Sequence, residues 1–364
     1  MKKSLALILA LTLLLSTSIV ASAESKPFKY GFISWGTADE HGRTLNAAVK
    51  WAVDAAGGEF VMDGTAISPE AQVAAAENLI SAGCKMISFC TYCGESTVPT
   101  ISDLCRENGV YWTMWDTTIA DPEIAEYIAD DPYYVGSTAE DNKSTGYEMM
   151  KTLAEKGATD VVIIRYGSGI PTCDERCDGA LKYIEEAGNI NIVEDTIIAS
   201  TDDYKSAVAN ILMAHPETNS VFMAGAGQSA AAVAEAFKEN KIKEFYIGAY
   251  DYFDAMGDML KSGDLAVING GHMVTGTFSA LMAINAYEGN PLSAEKYLVT
   301  IPYLTLSSYE DYEAYIKYAS QGAAYTSEEL QQYLVSHNPD MNLESFQKGV
   351  AAWSVADIMA RKGA

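Results

Sequence analysis

Two aspartates carry the clearest chemical signal in the sequence. Asp116 follows the apolar run Val110–Trp115 and Asp251 follows the run Glu244–Tyr250, so each carboxylate comes directly after an aromatic residue at the end of a strand-like segment. A carboxylate in that place accepts hydrogen bonds from bound hydroxyls. Its competing role is structural, as the N-cap of the next helix. Arg176 is the third candidate, because a guanidinium offers a planar fork of donors to neighbouring oxygens.

Other chemistries are less well supplied. Cys90-x-x-Cys93 has the spacing of a redox pair or half a zinc site, but no second such pair occurs and the four histidines do not cluster near it. The six cysteines, Cys84, Cys90, Cys93, Cys105, Cys173 and Cys177, read instead as buried or structurally paired thiols. His41, His215, His272 and His337 have no spaced Ser or Cys partner, and Gly-x-Ser-x-Gly is absent. The run Gly225-Ala226-Gly227-Gln228-Ser229-Ala230 imitates a dinucleotide fingerprint, with Asp251 in the place of the ribose-binding acid. It falls late in its unit, whereas such a fingerprint opens a domain, and its glycines also suit close approach of backbone to a ligand. No metal, no cofactor and no enzymatic activity is expected.

The elements that must position these residues alternate along the chain. Strand patterns at Lys29–Trp35, Glu59–Met62, Lys85–Cys90 and Val110–Trp115 are separated by helix patterns, and Asp116 follows the fourth. A second series follows at Asp160–Arg165, Asn191–Ala199, Ser220–Ala224 and Glu244–Tyr250, and there Asp251 follows the fourth. Continuous apolar strands alternating with helices predict parallel sheets covered on both faces. The expected fold is therefore α/β, with two Rossmann-like lobes. Ligands of such sheets bind outside the carboxyl ends of the strands, so two facing lobes aim Asp116 and Asp251 into one cleft. A further strand is read at Leu265–Asn269, a long helix from about Val274 to Glu288, one extended segment at Tyr297–Thr305, and a Tyr-rich helical tail that packs onto a lobe.

The chain has 364 residues and a net charge of −25. Its length favours two domains. Its charge repels phosphate backbones and anionic membrane surfaces, so no nucleic-acid partner is expected. Lys2 and Lys3, the apolar run Leu5–Leu15 and Ala21-Ser22-Ala23 form the pattern of a cleaved export signal. The expected location is the periplasm or the cell exterior.

Several segments, in order and at suitable spacing, resemble type I periplasmic binding proteins, nearest to the ribose- and galactose-binding branch. Gly136-Ser137-Thr138-Ala139-Glu140-Asp141-Asn142 with Gly146 looks like the crossover into the second lobe. Cys173–Ala180 is similar to the Arg-x-x-Gly-Phe helix start, with Ala180 for Phe, and Ala214–Phe222 to the link that follows. Ile247-Gly248-Ala249-Tyr250-Asp251 is similar to a Val-Gly-Phe-Asp strand end. The resemblance implies a three-segment hinge near Glu140, Gly270 and Pro302, with a signal over 1–23. It implies an N-terminal lobe of 24–140 plus 271–302, a C-terminal lobe of 141–270 plus 303–318, and a tail of 319–364. It also implies capture of a monosaccharide in the cleft by a monomer, and delivery to the membrane permease of an ABC transporter. Arg176, Asp116 and Asp251 match the family's sugar-holding positions.

The specificity positions depart from the family. Gly36–His41 replaces Asn-Pro-Phe-Phe, Gly225–Gln228 replaces Asn-Asp, and Gly270-Gly271-His272 replaces Gln. Trp35, His41, Trp115, Tyr204, Gln228 and Tyr250 are therefore the expected lining. The alternatives are a same-fold receptor for a nucleoside or signalling molecule, or an exported dinucleotide-dependent enzyme.

Overall fold

The computed structural model describes residues 28–38, 40–167, 170–320 and 324–363. The export signal expected over residues 1–23 lies outside the described residues. No helix among the described residues is long and apolar enough to cross a membrane.

The chain first lays down β1 (Lys29–Ile33), α1 (Glu40–Ala55), β2 (Glu59–Asp63), α2 (Pro69–Ser81), β3 (Met86–Phe89), α3 (Val98–Asn108), β4 (Tyr111–Met114), α4 (Pro122–Ala129) and β5 (Tyr134–Glu140). It continues with α5 (Asn142–Lys156), β6 (Asp160–Arg165), α6 (Pro171–Ala187), β7 (Asn191–Ile197), α7 (Tyr204–Ala214), β8 (Ser220–Met223), α8 (Ala230–Glu239), β9 (Tyr246–Tyr250), α9 (Met256–Ser262) and β10 (Val267–Gly270). The last stretch is α10 (Val274–Tyr287), β11 (Tyr297–Ile301), β12 (Leu304–Leu306), α11 (Tyr309–Tyr318), α12 (Ser327–Gln331), α13 (Leu343–Ala351) and α14 (Val355–Arg361). The described strands form two six-stranded sheets, ordered β11-β5-β4-β3-β1-β2 and β12-β10-β9-β8-β6-β7. All pairings are parallel except β10 with β12. This is the expected α/β architecture of two lobes.

The chain changes sheet at three places. Glu140 ends β5 in the first sheet, and α5 begins at Asn142 beside α6. Gly270 ends β10 in the second sheet, and α10 packs back onto β3, β4 and β5. Ile301 ends β11 in the first sheet, and Leu304 opens β12 in the second. The segment Tyr297–Thr305, read as one extended run, is thus two strands split at Pro302. Helix α10 is buried all round from Val274 to Ala286, as a helix with apolar residues on every face must be. The sheet covers one side, and the tail covers the other through Asn285, which donates to the Tyr333 carbonyl and accepts from the Val335 amide.

The tail holds to the first lobe by specific bonds. Trp51 Nε1 donates to the Tyr325 carbonyl at 3.0 Å and Gln331 to the Ala55 carbonyl at 2.8 Å. Arg361 ties the tail to itself through Asp357, Glu329 and the Ala324 carbonyl. Helix α14 also touches α11, which packs on α9 and β12 of the second lobe.

Candidate functional site

Asp116 and Asp251 stand at equivalent strand ends, after β4 and β9, and both adopt left-handed backbone, with φ of 53° and 72°. A non-glycine residue there is uncommon and costs energy that the surroundings must supply. Hydrogen bonds fix both places. The Asp251 amide donates to the Asn269 carbonyl, and around Asp116 the Trp115 and Thr117 amides donate to the Phe89 and Thr138 carbonyls. Neither aspartate caps a helix. Asp121 caps α4, and Ala255 occupies the cap position of α9.

The left-handed turn at Ala226 (φ 59°) lies at the same edge, after β8. A Cβ on Gly227 would meet the Tyr250 and Asp251 carbonyls at 2.2 Å. The glycine of the fingerprint-like run is therefore required by packing against the end of β9. This accounts for the run without a dinucleotide.

Arg176 lies in the second turn of α6 and is buried. Its Nε donates to Asn142 Oδ1 at 3.1 Å, one terminal nitrogen to the Ala224 carbonyl at 2.8 Å, and the other to the Tyr303 hydroxyl. The guanidinium lies 4.2 Å from the centroid of the Tyr250 ring, a cation–π contact. Two glycines make this placement possible. A Cβ at Gly146 would fall 2.0 Å from the Arg176 carbonyl, and one at Gly179 would fall 1.9 Å from the Lys143 carbonyl. Helices α5 and α6 therefore touch backbone to backbone, which brings Asn142 under the guanidinium.

The first lobe contributes rings. Trp35, half-buried, stacks on His41 at 5.3 Å and meets the edge of Tyr92 and the face of Trp115. His41 lies 4.4 Å from His272, ring to ring. His272 spans the cleft, with Nε2 4.0 Å from Asp251 Oδ1. Burial, with help from His41 and Arg176, holds the pKa of His272 well below the usual histidine range, so the ring is neutral. Glu140, at the end of β5, is pushed the other way. Burial first, and then the facing Asp116, raise its pKa well above the usual carboxylate range, opposed by Arg176.

Buried polar atoms without a partner concentrate in this region. They include both Glu140 oxygens, Trp115 Nε1, His272 Nδ1, Asn269 Nδ2 and the Tyr204 and Tyr250 hydroxyls. Buried donors and acceptors are normally paired, because leaving one unpaired costs roughly 1–3 kcal/mol. Such a concentration marks a place built for a ligand.

The candidates from sequence fall into three groups. Arg176, Tyr250 and Asp251 meet at the strand ends of the second lobe, Asp116 lies with Glu140 and His272, and Trp35 contacts both His41 and Trp115 through its ring. Tyr204 is buried at the start of α7. Gln228 is exposed on the turn before α8. Glu140, Asn142, His272 and Tyr303 belong to the same cluster; of these, sequence reasoning marked only His272, as part of a specificity position that departs from the family, and gave none of them a place in the expected lining. The signal that marks them is position, since each lies within two residues of a place where the chain changes sheet. All six cysteines are free, and all are buried except the half-buried Cys93.

A family model described as a periplasmic binding protein domain matches residues 30–290, well over half of the chain. No curated protein matches. Among solved structures, a periplasmic sugar-binding protein from Pseudomonas fluorescens is 14% identical with a TM-score of 0.72, over 91% of this chain and 99% of that one. An ABC transporter solute-binding protein from Actinobacillus succinogenes with bound D-allose is 19% identical with a TM-score of 0.67, over 80% of this chain and 100% of that one. A solute-binding protein from Bacillus halodurans with bound myo-inositol is 20% identical with a TM-score of 0.63, over 80% of this chain and 99% of that one. At these identities the likeness is one of fold.

Proposed function

The chain belongs to the periplasmic binding protein family, and from that premise we propose that it captures a neutral polyhydroxylated ligand of monosaccharide or cyclitol size between its lobes. Its role is to bind and release rather than to transform. The observation that carries this reading is the pairing of Asp116 and Asp251 at equivalent left-handed strand ends of opposite lobes, with the buried guanidinium of Arg176 among them. Carboxylates accept from vicinal hydroxyls and a guanidinium donates to them. The Trp35–His41 stack supplies an apolar face for ring C–H groups. D-allose and myo-inositol, named for two structural neighbours, are ligands of this chemistry.

Export through the leader at 1–23, a monomeric state and delivery to the permease of an ABC transporter complete the proposal. A thermal-shift panel of pentoses, hexoses, inositols, nucleosides and small acids, followed by calorimetry on the hits, tests the ligand class. A neutral sugar or cyclitol is expected to raise Tm the most. A best hit that is anionic or a peptide contradicts the reading.

A further inference from the structure

The floor of the cleft gathers carboxyl groups. Glu140 and Asp251 lie near the guanidinium of Arg176, and Asp116 faces Glu140. The guanidinium spends its hydrogen bonds elsewhere, on Asn142, the Ala224 carbonyl and Tyr303. Glu140 is 6% exposed, and among the described residues its oxygens face only the Asp116 carboxyl and its own backbone amide, with no other donor. His272 is equally buried, and its Nδ1 has no partner.

One oxygen each of Asp116 and Glu140 and one ring nitrogen of His272 lie within 4.8 Å of one another. Donors bound at about 2.0–2.2 Å to one first-row divalent ion sit roughly 3–4 Å apart. Side-chain adjustments of about an ångström therefore close the set. A neutral imidazole with two carboxylates suits zinc or manganese better than calcium or magnesium, which favour all-oxygen shells.

We propose that Asp116, Glu140 and His272 form a divalent transition-metal site in the cleft, whose open positions take ligand hydroxyls. The inference rests on the binding role proposed above and names how that site completes itself. A single divalent ion gives the buried Glu140 oxygens a partner. Three protein ligands leave coordination positions open, as in other sites where a small molecule joins the metal. Asp116 is only half-buried, so the site opens towards the cleft.

The test uses the full chain, stripped with a chelator and titrated calorimetrically with zinc, manganese, calcium and magnesium salts in turn, alongside Glu140→Gln and His272→Gln. Zinc or manganese is expected to bind at one ion per chain, and each variant is expected to weaken binding at least tenfold. Circular dichroism checks the fold of each variant, and having two keeps the comparison available if one fails to fold. No stoichiometric binding, or binding undiminished in a folded variant, overturns the site. A shared proton between Asp116 and Glu140 would then satisfy the pair.

A second arm measures the panel's best sugar with and without chelator. A drop in affinity of at least tenfold under chelation is expected, and unchanged affinity overturns the metal's part in holding ligand while leaving the sugar-binding reading intact. A metal that binds while no sugar binds with or without it defeats the sugar reading alone.

Discussion

The two walls of the cleft are built on the same plan and finished differently. In the second lobe, Arg176 is locked by three hydrogen bonds and a ring face before any ligand arrives. In the first lobe, Trp35 stacks on His41 and leans against Trp115, while among the described residues the Trp115 indole nitrogen has no partner and the Glu140 oxygens have no donor beyond the facing Asp116 carboxyl and their own backbone. A wall whose polar groups are already committed is rigid and orients what it meets. A wall with open valences gains most when a ligand fills it. The account therefore assigns orientation to the second lobe and adaptable covering to the first, with one aspartate from each closing the clamp.

Arg176→Ala should break that comparison most severely. It takes away the guanidinium that donates to the Ala224 carbonyl and leaves Asn142 Oδ1 with the Tyr303 hydroxyl alone, and an unmet buried group costs roughly 1–3 kcal/mol. Calorimetry should show a loss of about a hundredfold or more in affinity, and thermal unfolding should show a lower Tm. Arg176→Lys should not rescue it, since an ammonium cannot reproduce the fork.

Asp116→Asn and Asp251→Asn come next. Asparagine tolerates left-handed backbone, so Tm should hold while affinity falls about tenfold to a hundredfold. Replacement by alanine should add a backbone cost of about 1–2 kcal/mol at either position, visible as lower Tm without ligand. Equal losses in affinity from the two asparagine variants would support a symmetric clamp. A loss confined to Asp251 would place the grip in the second lobe alone.

Trp35→Ala should cost less, about threefold to tenfold, because ring stacking contributes about 0.5–1.5 kcal/mol, and Trp35→Phe should recover part of it. Gln228→Ala should change affinity by less than about twofold, as expected of an exposed side chain away from the cluster. A larger effect would move the rim of the site to the turn before α8.

Much of this was legible in the sequence because it depends on local pattern. Asp116 and Asp251 follow apolar strands, and Arg176 sits at a recognisable helix start, so residue type and spacing are enough to select them. Strand β5 escaped, together with α4 and α5, because Tyr-Val-Gly-Ser-Thr-Ala-Glu has the composition of a loop. It is nevertheless buried along its whole length. Gly136 is required there because a Cβ would meet the Tyr297 carbonyl at 2.1 Å, and Thr138 pays for its burial by donating to the Thr275 carbonyl. Both partners come from more than a hundred residues away, and no local pattern reports them. Glu140 and Tyr303 were missed for the same reason, and His272 was marked only as a departure from the family. Each stands at a different crossing, and only the folded chain brings them together.

The central claim is that one ligand is held from both lobes at once. The most direct measurement is a calorimetric titration of the panel's best sugar into the wild-type chain and into the Asp116→Asn/Asp251→Asn double variant, whose backbone turns asparagine preserves. The account predicts that the folded double variant loses about a hundredfold or more in affinity, exceeding either single change. Affinity within about twofold of wild type would contradict it.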